Sequence, residues 1–244
     1  DVVGSLDQGR TFYMASKISE SLQHELRDST LGSPGSGMAL ADRRSSSYVE
    51  KADRTDIWLV VTDYYKETKA PKAFVVTNEL VCSNGMSRVA RDEACSLTHL
   101  RTQNFGEVAA VLDSAVQEAT QHLQMKEQMV NTTIPMDSAR DALRTFFNDQ
   151  DADTKKVQTL ERLYKGELLN KKGEPMLDGW DYPTRQLNEN GSGTLWRLWN
   201  TVTQYSSHFN VRKGKEEARF RSQLEGQISR TNQEFTHFLQ ENYV

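Results

Sequence analysis

The sequence predicts an α+β protein, with a small antiparallel sheet in the N-terminal third followed by a mostly helical C-terminal part. Two observations point there. Runs rich in Val, Ile and aromatic residues at 56–65 and 72–82 suit a pleated, half-buried surface. Beyond Gly85, apolar residues recur at the helical period instead. The expected division is a β-rich region over 1–86, containing a Gly/Ser loop at 31–47, and a mainly helical region over 87–244 packed with it as one domain.

Taken in order, Gly9 to Ala15 is a short β-prone run, and Lys17 to Asp28 places Ile18, Leu22 and Leu26 at four-residue spacing, as in a short helix. Leu31 to Ser47 is rich in Gly, Ser and Pro and carries Arg43-Arg44, which reads as a loop. The strand candidates Asp56–Tyr65 and Lys72–Cys82 flank a charged connection ending in Pro71, so a hairpin is the simplest pairing. Asn104 with Glu107 resembles a capping box ahead of a long apolar stripe from Phe105 to Leu123. Ser138 with Asp141 would cap a second helix carrying Leu143, Phe146 and Phe147, and a third runs from Asp153 through Val157, Leu160 and Leu163. Gly173, Pro175, Gly179 and Pro183 break 171–190 into loop. Thr194–Phe209 and Lys215–Phe238 read as two more helices, with Gly193 and Gly214 at their boundaries.

Composition excludes several classes. The chain has 244 residues, long enough to bury a sizeable core, and its 2 cysteines cannot build a disulfide scaffold. With 14 Gly and 5 Pro it is neither collagenous nor of low complexity. No apolar run approaches the ~20 residues that span a bilayer. Asp1 to Ser5 lacks the basic, then apolar, pattern of a signal peptide, so an intracellular setting is expected. The chain starts without Met, as a processed product or part of a longer protein would. A formal net charge of -4 announces neither nucleic acid nor an acidic membrane.

No catalytic motif stands out. Cys82, Cys95, His99 and His208 lack the paired spacing of a zinc site, so neither a metal nor another cofactor is expected. Cys82 and His99 also have a thiolate–imidazole reading, against which stands the commoner role of Cys82 as a buried small hydrophobe at a strand end. Asp149, Asp151 and Asp153 alternate as in a calcium loop, but Thr154 and Leu160 occupy the positions of its Gly and Glu. The stretch 148–153 reads as a solvated acidic connection able to cap the next helix. No phosphate-binding Gly loop occurs.

Two strings are more specific. On a helix, Asn200, Gln204 and His208 form a polar stripe beside Trp196, Trp199 and Thr203, suited to an internal hydrogen-bond network or to a ligand. Immediately downstream, Arg212, Lys213, Lys215, Arg219 and Arg221 stand against Glu216 and Glu217, with Trp199, Tyr205, Phe209 and Phe220 nearby. Basic grooves with stacking aromatics bind single strands; a solvated helix face is the plain alternative.

The strand ending Val81-Cys82-Ser83-Asn84-Gly85, then Thr98-His99 and a long helix, resembles the first signature of the domain-of-unknown-function 932 family. The block from Trp199 to His208, with Asn200, Thr203 and Tyr205, resembles its second. The resemblance spans roughly Gly9 to Phe238. It implies a phage, plasmid or other mobile-element protein in a bacterial cytoplasm, encoded near replication and recombination functions. It supplies no catalytic residue and assigns no role to Cys82, Asn84, Gly85, His99, Asn200, Thr203 or His208. The 31–47 loop and the acidic overall charge depart from that pattern.

The expected function is association with DNA metabolism: binding of single-stranded or recombining DNA through Arg212, Lys213, Lys215, Arg219, Arg221 and Trp199, by a homo-oligomer without enzymatic activity. The alternative is a protein-interaction module, a phage counter-defence or assembly component with a phage or host protein as partner and no membrane contact.

Overall fold

The computed structural model describes residues 2–6, 11–17, 55–64, 72–79, 86–89, 95–96, 121, 124–149, 154–177, 180, 183–209, 222–223 and 226–244. The fold is α+β, with antiparallel strands in the N-terminal part and helices in the C-terminal part.

The main sheet is an antiparallel meander of β1 (Val2–Leu6), β2 (Thr11–Lys17), β3 (Thr55–Tyr64), β4 (Lys72–Glu79) and β5 (Met86–Val89). A two-residue β6 (Cys95–Ser96) continues along the same side of β4 as β5. The expected hairpin is β3–β4, with Trp58 opposite Val76 and Val60 opposite Phe74. Alternation sets the faces. Val60 and Thr62 are buried, and their register partners Ala15 and Tyr13 on β2 are partly covered. Phe12 and Met14 point the other way and are exposed.

One expectation changes here. The sheet continues through Ser96, so the change to helix comes later than Gly85. Strands of four and two residues carry too little periodicity to be recognised; pairing with β4 defines them. The readings of 17–28 (beyond the end of β2), 31–47, the Asn104–Glu107 box and the 105–123 stripe (Gln121 apart) lie outside the described residues, as does Gly214.

Helical structure is described over 124–131, followed by β7 (Thr133–Ile134) and α1 (Met136–Phe146). Pro135, not Ser138, occupies the N-cap of α1, and Ser138 lies within its first turn. The extended geometry of Pro135 fixes that start directly after β7, and Pro needs no N–H there. α1 ends in a Schellman turn: Asn148 adopts φ 52°, Asn148 N–H donates to Thr145 O (3.2 Å) and Asp149 N–H to Arg144 O (2.9 Å). α2 (Lys155–Lys165) begins at the Thr154 cap, whose hydroxyl accepts from Val157 N–H, and ends at Gly166 with φ 78°. Arg140 Nε ties α1 to Glu161 of α2 at 3.0 Å.

β8 (Gly193–Thr194) pairs with β7 and leads directly into α3 (Leu195–Gln204), so one two-stranded ladder positions the starts of α1 and α3. A short 3-10 turn, Pro183–Arg185, precedes it. All ten residues of α3 are buried. A helix buried on every side is the centre of a helical layer, and here α2 and α4 (Gln227–Tyr243) pack against it. Met129, Ile134, Leu143, Leu160, Trp196 and Phe235 meet in the core. α4 has its N-cap at Gly226, where a Cβ would lie 2.6 Å from Ser222 Cα; residues 222–223 are helical as well, and the expected start at Lys215 lies outside the described residues. α4 also touches β5, joining the helical layer to the sheet.

Candidate functional site

The second sequence block folds as α3 and the π-helical turn that continues it, Tyr205–Phe209. Thr194 caps the helix: its hydroxyl accepts from Arg197 N–H (3.0 Å) and donates to Thr184 O (2.8 Å). Arg197, only 3% exposed, donates through Nε to Tyr164 O at 2.7 Å. Its terminal nitrogens reach Tyr164 O and Arg185 O, so one guanidinium ties α3 to the end of α2 and to the 3-10 turn. Burial holds Arg197 down at about 10; the Tyr164 ring opposes that shift and neighbouring Arg185 adds to it. Burial likewise pushes the Tyr164 phenol up to about 12. The Lys126 ammonium lies 4.9 Å from the centre of the Trp196 ring, and the Arg185 guanidinium 5.9 Å from it.

The polar stripe is mostly internal. Asn200 Nδ2 donates to Trp196 O (2.7 Å), Thr203 to Asn200 O (3.1 Å), and Gln204 Nε2 to Met176 O. Towards α4, Trp199 Nε1 donates to Thr236 Oγ1 (2.8 Å), and Ser206 Oγ bonds Asn232 Oδ1 (2.8 Å) and Thr203 O (2.9 Å). Such a network fixes the register of two packed helices. Among the described residues, Asn200 Oδ1, Ser207 Oγ and Ser229 Oγ have no hydrogen-bond partner.

Where α3 passes into the π turn, a cleft of about 270 Å³ opens. The end of α1 contributes Phe146 and Phe147, the first turn of α2 Lys156, the π turn Tyr205, and the first half of α4 Gln227 and Glu234. Phe146 is held edge-on by Phe147 and Phe235, each centroid 4.8 Å away. The Tyr205 ring lies parallel to Phe209, 5.9 Å between centres and 5° between planes. Lys156 Nζ sits over Phe147 at 4.8 Å. π turns inserted at helix ends are frequent at functional sites, because the extra residue re-aims the side chains around it.

A family model described as Domain of unknown function (DUF932) matches residues 3–233. The chain belongs to the DUF932 family. No curated protein and no solved structure matches it. The matched span takes in the sheet from Val3 on, the central helix, the π turn and, Glu234 apart, the cleft residues of this DUF932 protein.

The site residues expected from the sequence are distributed unevenly over the DUF932 fold. Trp199 is 2% exposed and stacked on Trp196, so it stands in the core and not on a surface. Asn200 and Thr203 are wholly buried, and His208 is half-buried in the π turn. Cys82, Asn84, Gly85, His99, Arg212, Lys213, Lys215, Arg219 and Arg221 lie outside the described residues. Cys95 stands opposite Ala73 in β6. Among the described residues no group of His, Cys, Asp and Glu could hold a metal ion, and no helix is long and apolar enough to cross a membrane. Sequence reasoning missed the cleft: Phe146-Phe147 reads as core, and nothing local places Lys156 or Glu234 beside Tyr205.

Proposed function

We propose that this DUF932 protein serves DNA metabolism in phages or other mobile elements, binding single-stranded or recombining DNA through a local basic and aromatic surface. The observation that carries this is the order of the sequence: the basic stretch follows directly on the aromatic π turn Tyr205–Phe209. Phe209, the last residue of that turn, pairs its ring with the half-buried Tyr205. The turn is tied to the first half of α4, where Ser206 bonds Asn232. In the sequence, Arg212, Lys213, Lys215, Arg219 and Arg221 follow that turn within twelve residues of Phe209. Cations supply phosphate contacts, and aromatics supply faces that any base can stack on. Because the net charge is -4, this attraction is local and falls within a Debye length.

Binding of a labelled single strand, titrated at increasing salt, tests the role. Five phosphate contacts correspond to a slope of about -3.5 in log K against log salt, from about -0.7 per contact. Absent binding at low salt, or a flat response, overturns it. Reversing charge at Arg212, Lys213 and Lys215 should remove most of the slope.

A second reading, a non-enzymatic protein-interaction module, is favoured by one feature of the sheet. Val3 (74% exposed) lies opposite Met14 (47% exposed), and Phe12 stands two residues along on the same face. Exposed apolar side chains grouped on one face suit a protein partner. Recovery of one stoichiometric protein partner without nucleic acid from producing cells would favour that role.

A further inference from the structure

We infer that the cleft between α1, α2, the π turn and α4 receives a single nucleobase carrying an exocyclic amino group. This deepens the DNA-binding role proposed above and rests on it. A volume of about 270 Å³ falls just below the usual range for small-molecule pockets, and so suits one base with part of its sugar rather than a larger cofactor. Tyr205 supplies aromatic surface already oriented by its parallel contact with Phe209, and Phe147, one face of it under Lys156, adds an apolar wall. Ring faces of this kind hold bases irrespective of sequence.

The polar lining adds discrimination. Glu234 offers a carboxylate that only accepts hydrogen bonds, and Gln227 can both donate and accept. Cytosine presents an amino donor that a glutamate can accept, whereas thymine presents a carbonyl at the same position, facing the carboxylate with its lone pairs. Lys156, over Phe147, places a cation beside the ring for the phosphate of the same nucleotide.

The test compares full-length protein binding to oligo-dC and oligo-dT of equal length and equal labelling, for the parent, Glu234→Gln and Tyr205→Leu. Glu234 is exposed, so its substitution leaves packing intact; circular dichroism checks both variants for folding. The parent should favour oligo-dC by about fivefold, the lower part of the range for one base contact. Glu234→Gln should bring that ratio close to one with the salt slope little changed. Tyr205→Leu should weaken both strands by about tenfold. Equal parental affinity for the two strands, or a dC preference that survives Glu234→Gln, overturns base reading in the cleft while leaving strand binding in place. No binding of either strand by the folded parent overturns the DNA-binding role and the base site with it.

Discussion

Trp196 and Trp199 stack within α3, with ring centres 4.7 Å apart and planes 7° from parallel. Cations lie beside the first ring, and a threonine on α4 accepts from the second. The pair therefore connects the 124–131 helix, the 3-10 turn and α4 through one helix face. Aromatic pairs contribute beyond their buried area, and a satisfied indole N–H avoids the cost of a buried orphan donor.

Coupling between Trp199 and Thr236 follows from that contact. Trp199→Phe should lower the unfolding free energy by about 1–2 kcal/mol, mostly through the lost indole hydrogen bond and reduced packing. Thr236→Val, which leaves the buried Trp199 indole N–H without its acceptor, should cost a comparable amount on its own. A double-mutant cycle on urea midpoints should return a coupling of about 1 kcal/mol. Strict additivity would contradict a direct interaction.

Gly193 has no room for a side chain. An added Cβ would lie 2.5 Å from the Tyr164 hydroxyl and 3.0 Å from Arg197 Cδ. Gly193→Ala should destabilise by about 1–3 kcal/mol, the usual cost of overpacking. Removing the hydroxyl with Tyr164→Phe in the same chain should recover part of the loss. Thermal unfolding of the four proteins of the cycle measures this.

Tyr164 and Arg197 should pull stability in opposite directions at alkaline pH. Burial lowers Arg197 from 12.5 to about 10, so across that window the unfolded chain holds the proton that the folded one has lost, and stability rises with pH. Burial raises Tyr164 from 10.0 to about 12, so the folded chain keeps the proton that the unfolded one has lost, and stability falls. Relative to the parent, Tyr164→Phe should therefore gain stability between about pH 10 and 12, and Arg197→Met should lose it over the same range. Denaturant midpoints at several pH values supply the slopes, whatever constant offset each substitution adds.

Thr154 both caps α2 and donates to the carboxylate of Asp149, which is only 8% exposed. Thr154→Ala should cost about 1–2 kcal/mol, at the upper end for a lost cap because a buried carboxylate also loses a donor. Thr154→Ser should retain most of the stability. Equal losses in the two variants would show that the hydroxyl is not what matters.

Local chemistry was enough to read the β3–β4 hairpin, the Val157, Leu160 and Leu163 stripe of α2, and a helix beginning at Thr194. Each is encoded within a few residues: β-branched runs around a short connection, one apolar face, one hydroxyl cap. The start of α1 was misplaced because Ser138 looks like a cap, whereas Pro135 follows a strand whose partner is sixty residues away in β8. Asp149 read as solvated; the Schellman turn at Asn148 and the Thr154 hydroxyl bring it inside.

The same division runs through the function. The sequence by itself determined the α+β class, the DUF932 resemblance, the aromatic-polar block of α3 and the basic stretch after it, because each is a matter of composition and spacing along one segment. Only the tertiary structure decided that Trp199 is core while Tyr205 lines a cleft, although the two lie six residues apart on one continuous helical path. Periodicity assigns a residue to a face of its helix. What covers that face depends on distant segments, here α4 over Trp199 and an open junction of four elements around Tyr205.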